Sequence, residues 1–130
     1  MKARKKPTLP EGASIIAEVL DGEEDSGNFG QQLKIKVKVV GGKYAGFEFT
    51  DWSKLQKDPK TKETYVEIGT KASEIFQAAY GEEYDPEMEH NPPDLIGKRF
   101  MARVSIAGKN QDRNRLEYGT IGPDPNAEAA

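Results

Sequence analysis

The chain has 130 residues, of which 35% are hydrophobic and 32% charged, with a formal net charge of -3 and no cysteine. This length suits one domain with a single core, and the content of Val, Ile, Phe and Tyr excludes wholesale disorder. The absence of cysteine excludes disulfides and thiolate chemistry. Because no long apolar run is present, we expect neither a membrane span nor a secretory signal, and hence a cytoplasmic protein.

The first predicted elements follow a basic arm. Residues 1–10 are rich in cations and proline, and we expect them to form a flexible arm before a domain at residues 11–122. Ser14–Leu20 is rich in β-branched residues and predicts the first strand. The glycine- and acid-rich residues 21–30 predict a loop, and residues 123–130 predict a disordered tail.

Residues 31–40 (QQLKIKVKVV) carry the clearest pattern in the chain. Apolar residues alternate with lysines, and because side chains alternate across a strand, this segment should have one apolar and one cationic face. The cationic face presents Lys34, Lys36 and Lys38. The glycines of residues 41–43 predict a hairpin turn, after which Tyr44–Thr50 returns as the third strand.

The second half of the chain predicts one helix and two more strands. Residues 51–69 form a polar connection, and a helix follows from Thr70, its N-cap, to Tyr80. Beyond an acidic, proline-bearing loop, Arg99–Ala107 alternates as the fourth strand. A turn over residues 108–115 then leads to the last strand, Leu116–Ile121.

This order of elements predicts a mainly β protein. Five strands with one apolar face each, and one amphipathic helix between strands three and four, bury their apolar surface best as a five-stranded β-barrel with the helix at one end. Closure also removes exposed sheet edges. The order is that of the oligonucleotide-binding (OB) fold. An open α+β sheet crossed by the helix is the alternative.

Four segments also resemble a known family: LPEGASIIAEV, SGNFGQQLKIKVKVVGGKYAGFEFTDW, LIGKRFMARVSIAG and NRLEYGTI, which lie between residues 9 and 121. They are similar to phage-encoded OB-type proteins that bind single-stranded DNA, notably in the hairpin GKYAG (Gly42–Gly46) and in LIGK (Leu95–Lys98) before the fourth strand. The resemblance implies a non-enzymatic role in phage-type DNA replication and recombination, inside a bacterium or a bacterial host. The C-terminal PDPNAEAA lacks the aromatic tip through which bacterial single-strand binding proteins recruit partners.

Charge is segregated along the chain. Residues 34–62 hold eight lysines and three acids, and residues 98–115 hold six bases and one acid. Because the local field governs encounter with phosphates, we interpret these segments as nucleic-acid-binding, although alternating lysines are also typical of a solvated strand face. The acidic segments 11–25 and 82–94 should repel nucleic acid from other faces.

The candidate interface combines cations for phosphates with rings on which bases stack. Its residues are Lys34, Lys36, Lys38, Phe29, Tyr44, Trp52, Lys109, Arg113 and Arg115. The last three should lie in the turn between strands four and five, beside the outer face of strands two and three. For Phe29, Tyr44 and Trp52, a place at an end of the core is the alternative interpretation.

Nothing in the sequence predicts an enzyme, a metal site or a cofactor. His90 is the single histidine, and the acidic clusters lack the spacing of a calcium-binding hand. The predicted partner is single-stranded DNA, and RNA, self-association and contacts with replication or recombination proteins stay open. Two rival hypotheses are a non-enzymatic protein-interaction or adaptor barrel, whose acidic loops meet a basic partner, and a metal-dependent hydrolase.

Overall fold

The computed structural model describes residues 1–4, 6–28 and 30–126. In chain order its elements are β1 (Ser14–Gly27), β2 (Gly30–Val39), β3 (Glu48–Lys54), β4 (Gln56–Lys57), β5 (Thr64–Tyr65), α1 (Lys71–Tyr80), β6 (Arg99–Ala107), β7 (Arg113–Leu116) and β8 (Gly122–Pro123). Single 3₁₀ turns occupy Gly81–Glu83 and Pro92–Leu95. The prediction of a mainly β protein is confirmed, with one α-helix in the described part of the chain.

The main sheet is antiparallel, with the strand order β3-β2-β1-β6-β7, and β8 also pairs with β6. β4 and β5 form a separate small hairpin. Within the described residues no backbone ladder joins the two outermost strands, β3 and β7, so the sheet is not closed by hydrogen-bonded pairing.

Apolar residues from the inner face of this sheet form the core. In β2 the alternating Leu33, Ile35, Val37 and Val39 are all buried, as their period of two requires. Helix α1 adds Ile75 and Phe76 to this core. The helix has the predicted bounds because Thr70 caps its first turn, with the hydroxyl accepting from the Ser73 N–H at 3.3 Å.

Strand β1 continues to Gly27, so the loop predicted for residues 21–30 is wrong for most of its length. A bulge between Val19 and Asp21 shifts the register, after which β1 pairs with β2 as far as Gly27. Gly22 is buried there, and a Cβ at this position would collide with the Pro92 carbonyl oxygen. The acids of this extension have low strand propensity, and the pairing with β2 overrides it.

The third and last strands are displaced from their predicted bounds. β3 begins at Glu48 rather than Tyr44, because residues 41–46 form the turn, in which the Gly46 N–H donates to the Val39 carbonyl at 2.8 Å. β7 runs over Arg113–Leu116 rather than Leu116–Ile121. Its inward residue Asn114 is polar, so the strand lacks the apolar alternation that would have predicted it.

Leu9 belongs to the core rather than to the predicted flexible arm. Its side chain is buried, its N–H donates to Asn114 Oδ1 at 2.7 Å, and its carbonyl accepts from Asn114 Nδ2 at 3.0 Å. At the other end, Pro123 of the predicted tail pairs with Phe100. Lys5 of the arm and residues 127–130 of the tail lie outside the described residues.

Candidate nucleic-acid interface

The lysines of β2 form one row on the outer face of the sheet. We call Lys34, Lys36 and Lys38 the lysine row. Their apolar neighbours in the strand are buried, so the three ammonium groups point away from the core. On β3 the residues directly opposite them are Trp52, Thr50 and Glu48, in that order.

The other neighbour of the lysine row is acidic. On β1 the residues directly opposite are Glu23, Asp21 and Glu18, which we call the acidic row. Lys34 Nζ lies 3.4 Å from Glu23 Oε1, and Lys36 Nζ lies 3.4 Å from Glu48 Oε1 on β3. Two segments of opposite charge that are separate in the sequence therefore lie side by side in the sheet, and carboxylates flank the lysines.

Trp52 is an aromatic residue of this face, and it is 36% exposed. Two cations approach its ring: Lys34 Nζ and the Arg113 guanidinium carbon each lie 6.0 Å from the ring centroid. This distance is at the limit of a cation–π contact. A flat, partly exposed ring with two cations nearby is an arrangement that suits a base together with its phosphates.

Trp52 and Arg113 border a cleft of about 400 Å³ between β3 and β7, which we call the seam cleft. Its lining comprises Asp25, Gly27, Gln32, Thr50, Asp51, Trp52, Lys71, Ala107, Arg113, Asn114 and Arg115. Arg115 is fixed here, because its Nε donates to Ser105 Oγ at 3.1 Å.

Asp51 and Lys71 connect the two strands across the seam. Asp51 is 1% exposed, and its carboxylate accepts from the Leu116 N–H of β7 at 2.9 Å and from Lys71 Nζ at 3.0 Å. Lys71 Nζ also donates to the Leu116 carbonyl at 3.3 Å. We call this set the Asp51–Lys71 clasp. Burial raises the pKa of Asp51, against the opposing effects of the Lys71 ammonium and of the hydrogen bonds from Leu116 and Ser53.

The fold brings together some of the predicted site residues and separates others. Lys34, Trp52, Arg113 and Arg115 meet at or beside the seam cleft. Arg113 and Arg115 do so from strand β7, which corrects their predicted place in a turn. Lys109 does lie in the turn between β6 and β7, but it is not part of the cleft lining.

The remaining predicted residues lie elsewhere. Lys36 and Lys38 continue the lysine row away from the cleft. Tyr44 is in the turn after β2, where it is half-buried against the core and lines a different cleft with Val40 and Met101. Phe29 lies outside the described residues.

Sequence reasoning missed Asp51 and Lys71. Asp51 continues the alternation of Phe47 and Phe49 and so occupies a core-facing position. The predicted third strand ends at Thr50, and extending it by one residue would have revealed this position. Lys71 follows the helix N-cap, and no pattern in the sequence marks it.

The described residues offer little for metal chemistry. They contain no group of three or more His, Asp or Glu side chains arranged to hold a metal ion. The His90 ring packs edge-on against Phe76 with centroids 5.0 Å apart, and its Nδ1 lies 2.7 Å from the Met88 carbonyl oxygen, which indicates a structural role. No helix in the same part of the chain has the length and apolarity needed to cross a membrane.

Comparisons with protein-family models, curated proteins and solved structures gave no match for this chain. The resemblance to phage single-strand binding proteins therefore stays a prediction from the sequence.

Proposed function

We propose that the protein binds single-stranded DNA without sequence preference at the seam cleft and the adjoining outer face of β2 and β3. The observation that carries this proposal is Trp52, a partly exposed ring with the cationic groups of Lys34 and Arg113 each 6.0 Å from its centroid. Base stacking on such a ring contributes about 1–3 kcal/mol per base and tolerates any base, because every base has a π-face. Arg115 extends the cationic border of the cleft.

The proposal includes the fold and the biological setting. The order of strands and helix supports an OB-type barrel in which the Asp51–Lys71 clasp takes the place of a β3–β7 ladder. In OB barrels the outer face of the second and third strands binds single strands. A non-enzymatic role in phage-type replication or recombination follows from the sequence resemblance. RNA is the alternative ligand, since a stacking platform accepts both.

The test is a fluorescence-anisotropy titration with labelled oligo-dT, single-stranded RNA and duplex DNA at two salt concentrations. Trp52→Ala should weaken oligo-dT binding about 5- to 150-fold, as expected for one lost stacking platform. Trp52→Phe, which keeps a flat ring, should retain part of the affinity. Tyr65→Ala is the matched control, because Tyr65 is an exposed ring on β5 outside the seam cleft.

A complex that Trp52→Ala and Tyr65→Ala weaken equally would contradict the proposed site. Binding that does not weaken with salt would contradict the phosphate contacts, because neutralised phosphates release counterions.

One observation favours a second candidate function. The lysine row lies beside carboxylates, and the loop after α1 exposes further acids, including Glu82, Glu83 and Glu87. Such a surface suits a non-enzymatic protein-interaction domain with a basic partner. Blank titrations with DNA and RNA at low salt would favour this candidate over nucleic-acid binding.

A further inference from the structure

The cations of the proposed interface fall into two groups with different surroundings. Arg113 and Arg115 project from β7, and no salt bridge to either is found among the described residues. Lys34 and Lys36 project from β2, and each has a carboxylate oxygen 3.4 Å from its ammonium nitrogen. A phosphate that approaches the second group therefore meets an acid at the same place.

The sheet register fixes this arrangement. Because directly opposite residues in antiparallel strands have side chains on the same face, β1 places Asp21 and Glu23 beside Lys36 and Lys34. Glu18 lies opposite Lys38, but its carboxylate accepts from Arg99 Nε of β6 at 3.0 Å. Glu48 adds a carboxylate from β3. Moving the lysines away from these acids by one residue would turn their side chains into the core, so the fold cannot separate the two rows by a register slip.

We propose that the carboxylates beside the lysine row compete with nucleic-acid phosphates for Lys34 and Lys36, so that these lysines contribute less to the affinity of the unchanged protein than Trp52, Arg113 and Arg115 do. This inference rests on the proposed function. An exposed ion pair contributes little to stability, so these acids are dispensable for folding. Their effect on a polyanion is larger, because each negative charge lies within the Debye length of the bound phosphates.

The test is the double variant Glu23→Gln/Glu48→Gln, which removes the two paired charges and keeps the side-chain shape. The matched control is Glu63→Gln/Glu67→Gln, which changes the net charge equally at exposed positions outside the outer face of β1, β2 and β3. Circular dichroism and thermal unfolding verify that both variants are folded. Binding of labelled oligo-dT is then measured from 50 to about 300 mM salt.

Freeing two lysines should steepen the slope of log affinity against log salt by about 1.4, at roughly 0.7 per phosphate contact on a single strand. If the two proteins bind equally at 1 M salt, this difference in slope corresponds to an affinity gain of about 25-fold at 0.1 M salt. Adding Lys36→Gln should remove about half of the gain in the slope, whereas Lys36→Gln in the otherwise unchanged chain should alter binding little.

The outcomes separate this inference from the function on which it rests. If the unchanged protein binds oligo-dT and the double variant binds no better than its control, the competitor role is overturned and the proposed function stands. If the unchanged protein binds oligo-dT and the double variant binds it more tightly than its control does, both are supported. If only the double variant binds, the acids compete with phosphates, but the proposed function of the unchanged protein is overturned. If neither binds oligo-dT at low salt, both are overturned.

Discussion

Asp51 occupies a position that the strand pattern reserves for an apolar side chain. It lies two residues after Phe49 on the inner face of β3 and is 1% exposed. A buried carboxylate is strongly disfavoured unless it is paired and hydrogen-bonded. Here Lys71, Leu116 and Ser53 supply those partners, and none of the buried side-chain N or O atoms in the described residues is left without one.

Removing this carboxylate should destabilise the protein strongly. Asp51→Ala leaves the Leu116 N–H without its acceptor and Lys71 without its counter-ion, and we expect a loss of about 3 kcal/mol in the free energy of unfolding. Urea denaturation measures this loss. Glu67→Ala, which removes an exposed carboxylate, is the control and should change stability by less than about 0.5 kcal/mol. A loss below about 1 kcal/mol for Asp51→Ala would contradict the clasp.

The pKa of Asp51 predicts an unusual pH dependence. Because burial raises this pKa in the folded state, the folded protein holds the proton at pH values where the unfolded chain has released it. The contribution of Asp51 to stability therefore falls as the pH rises from about 4 through the folded-state pKa, and is constant above it. The free energy of unfolding relative to Asp51→Asn, measured by denaturation across pH 3.5–8, should decrease with pH. An increase with pH would instead indicate a carboxyl whose pKa is lowered by Lys71.

At the scale of secondary structure, elements with a complete apolar period could be predicted. In strands β2 and β6, an apolar residue recurs at every second position without interruption, and the sequence of α1 contains both an apolar face and an N-cap residue. The predicted bounds of all three elements are therefore close to the observed ones. β1 could not be predicted in full, because its second half consists of acids and glycines that become a strand only by pairing with β2.

β7 was missed because a polar residue replaces an apolar one in its pattern. Asn114 faces inward, where it bonds to the backbone of Leu9 and Ser105. The position of β7 also determines which residues form the candidate interface. Arg113 lies near Trp52 because β7 begins at Arg113 and lies close to β3. Neither feature can be predicted from the local sequence.

Asn114 should therefore determine whether the N-terminal segment is held on the sheet. Asn114→Ala removes two hydrogen bonds to Leu9 and one to Ser105, and we expect the free energy of unfolding to fall by about 2 kcal/mol. Limited proteolysis should also cut faster before Ala13. Asn110→Ala, in the exposed turn, is the matched control. Equal proteolysis and equal stability of the two variants would show that Leu9 is held by burial alone.

At the scale of the whole molecule, charge is distributed differently in space than along the chain. The sequence predicts acidic segments that keep nucleic acid off other faces, whereas β1 places Glu18, Asp21 and Glu23 directly beside the lysine row. Pairing in the β1–β2 hairpin thus converts two segregated segments into one mixed surface. Its net effect on a polyanion depends on register, which composition does not contain.

The seam between β3 and β7, where no backbone ladder joins the described strands, should open more easily than the rest of the sheet. Val37 in β2 is paired with both β1 and β3, whereas the Leu116 N–H depends on the Asp51 carboxylate. Local opening follows the weakest set of contacts, so we expect the Leu116 amide to exchange with solvent faster than that of Val37 in hydrogen-exchange NMR. Lys71→Met should accelerate exchange at Leu116 about tenfold or more, because one charge-assisted partner of the clasp is lost.

Two comparisons make this measurement decisive. Lys54→Met, which removes an exposed lysine at the end of β3, should leave exchange at Leu116 unchanged. Val37 should respond to Lys71→Met only through the loss of global stability. Identical exchange at Leu116 and Val37 in the unchanged protein, with identical responses to Lys71→Met, would mean that the sheet opens only as one unit. A faster, clasp-dependent Leu116 would instead identify the β3–β7 seam as the place where the seam cleft widens.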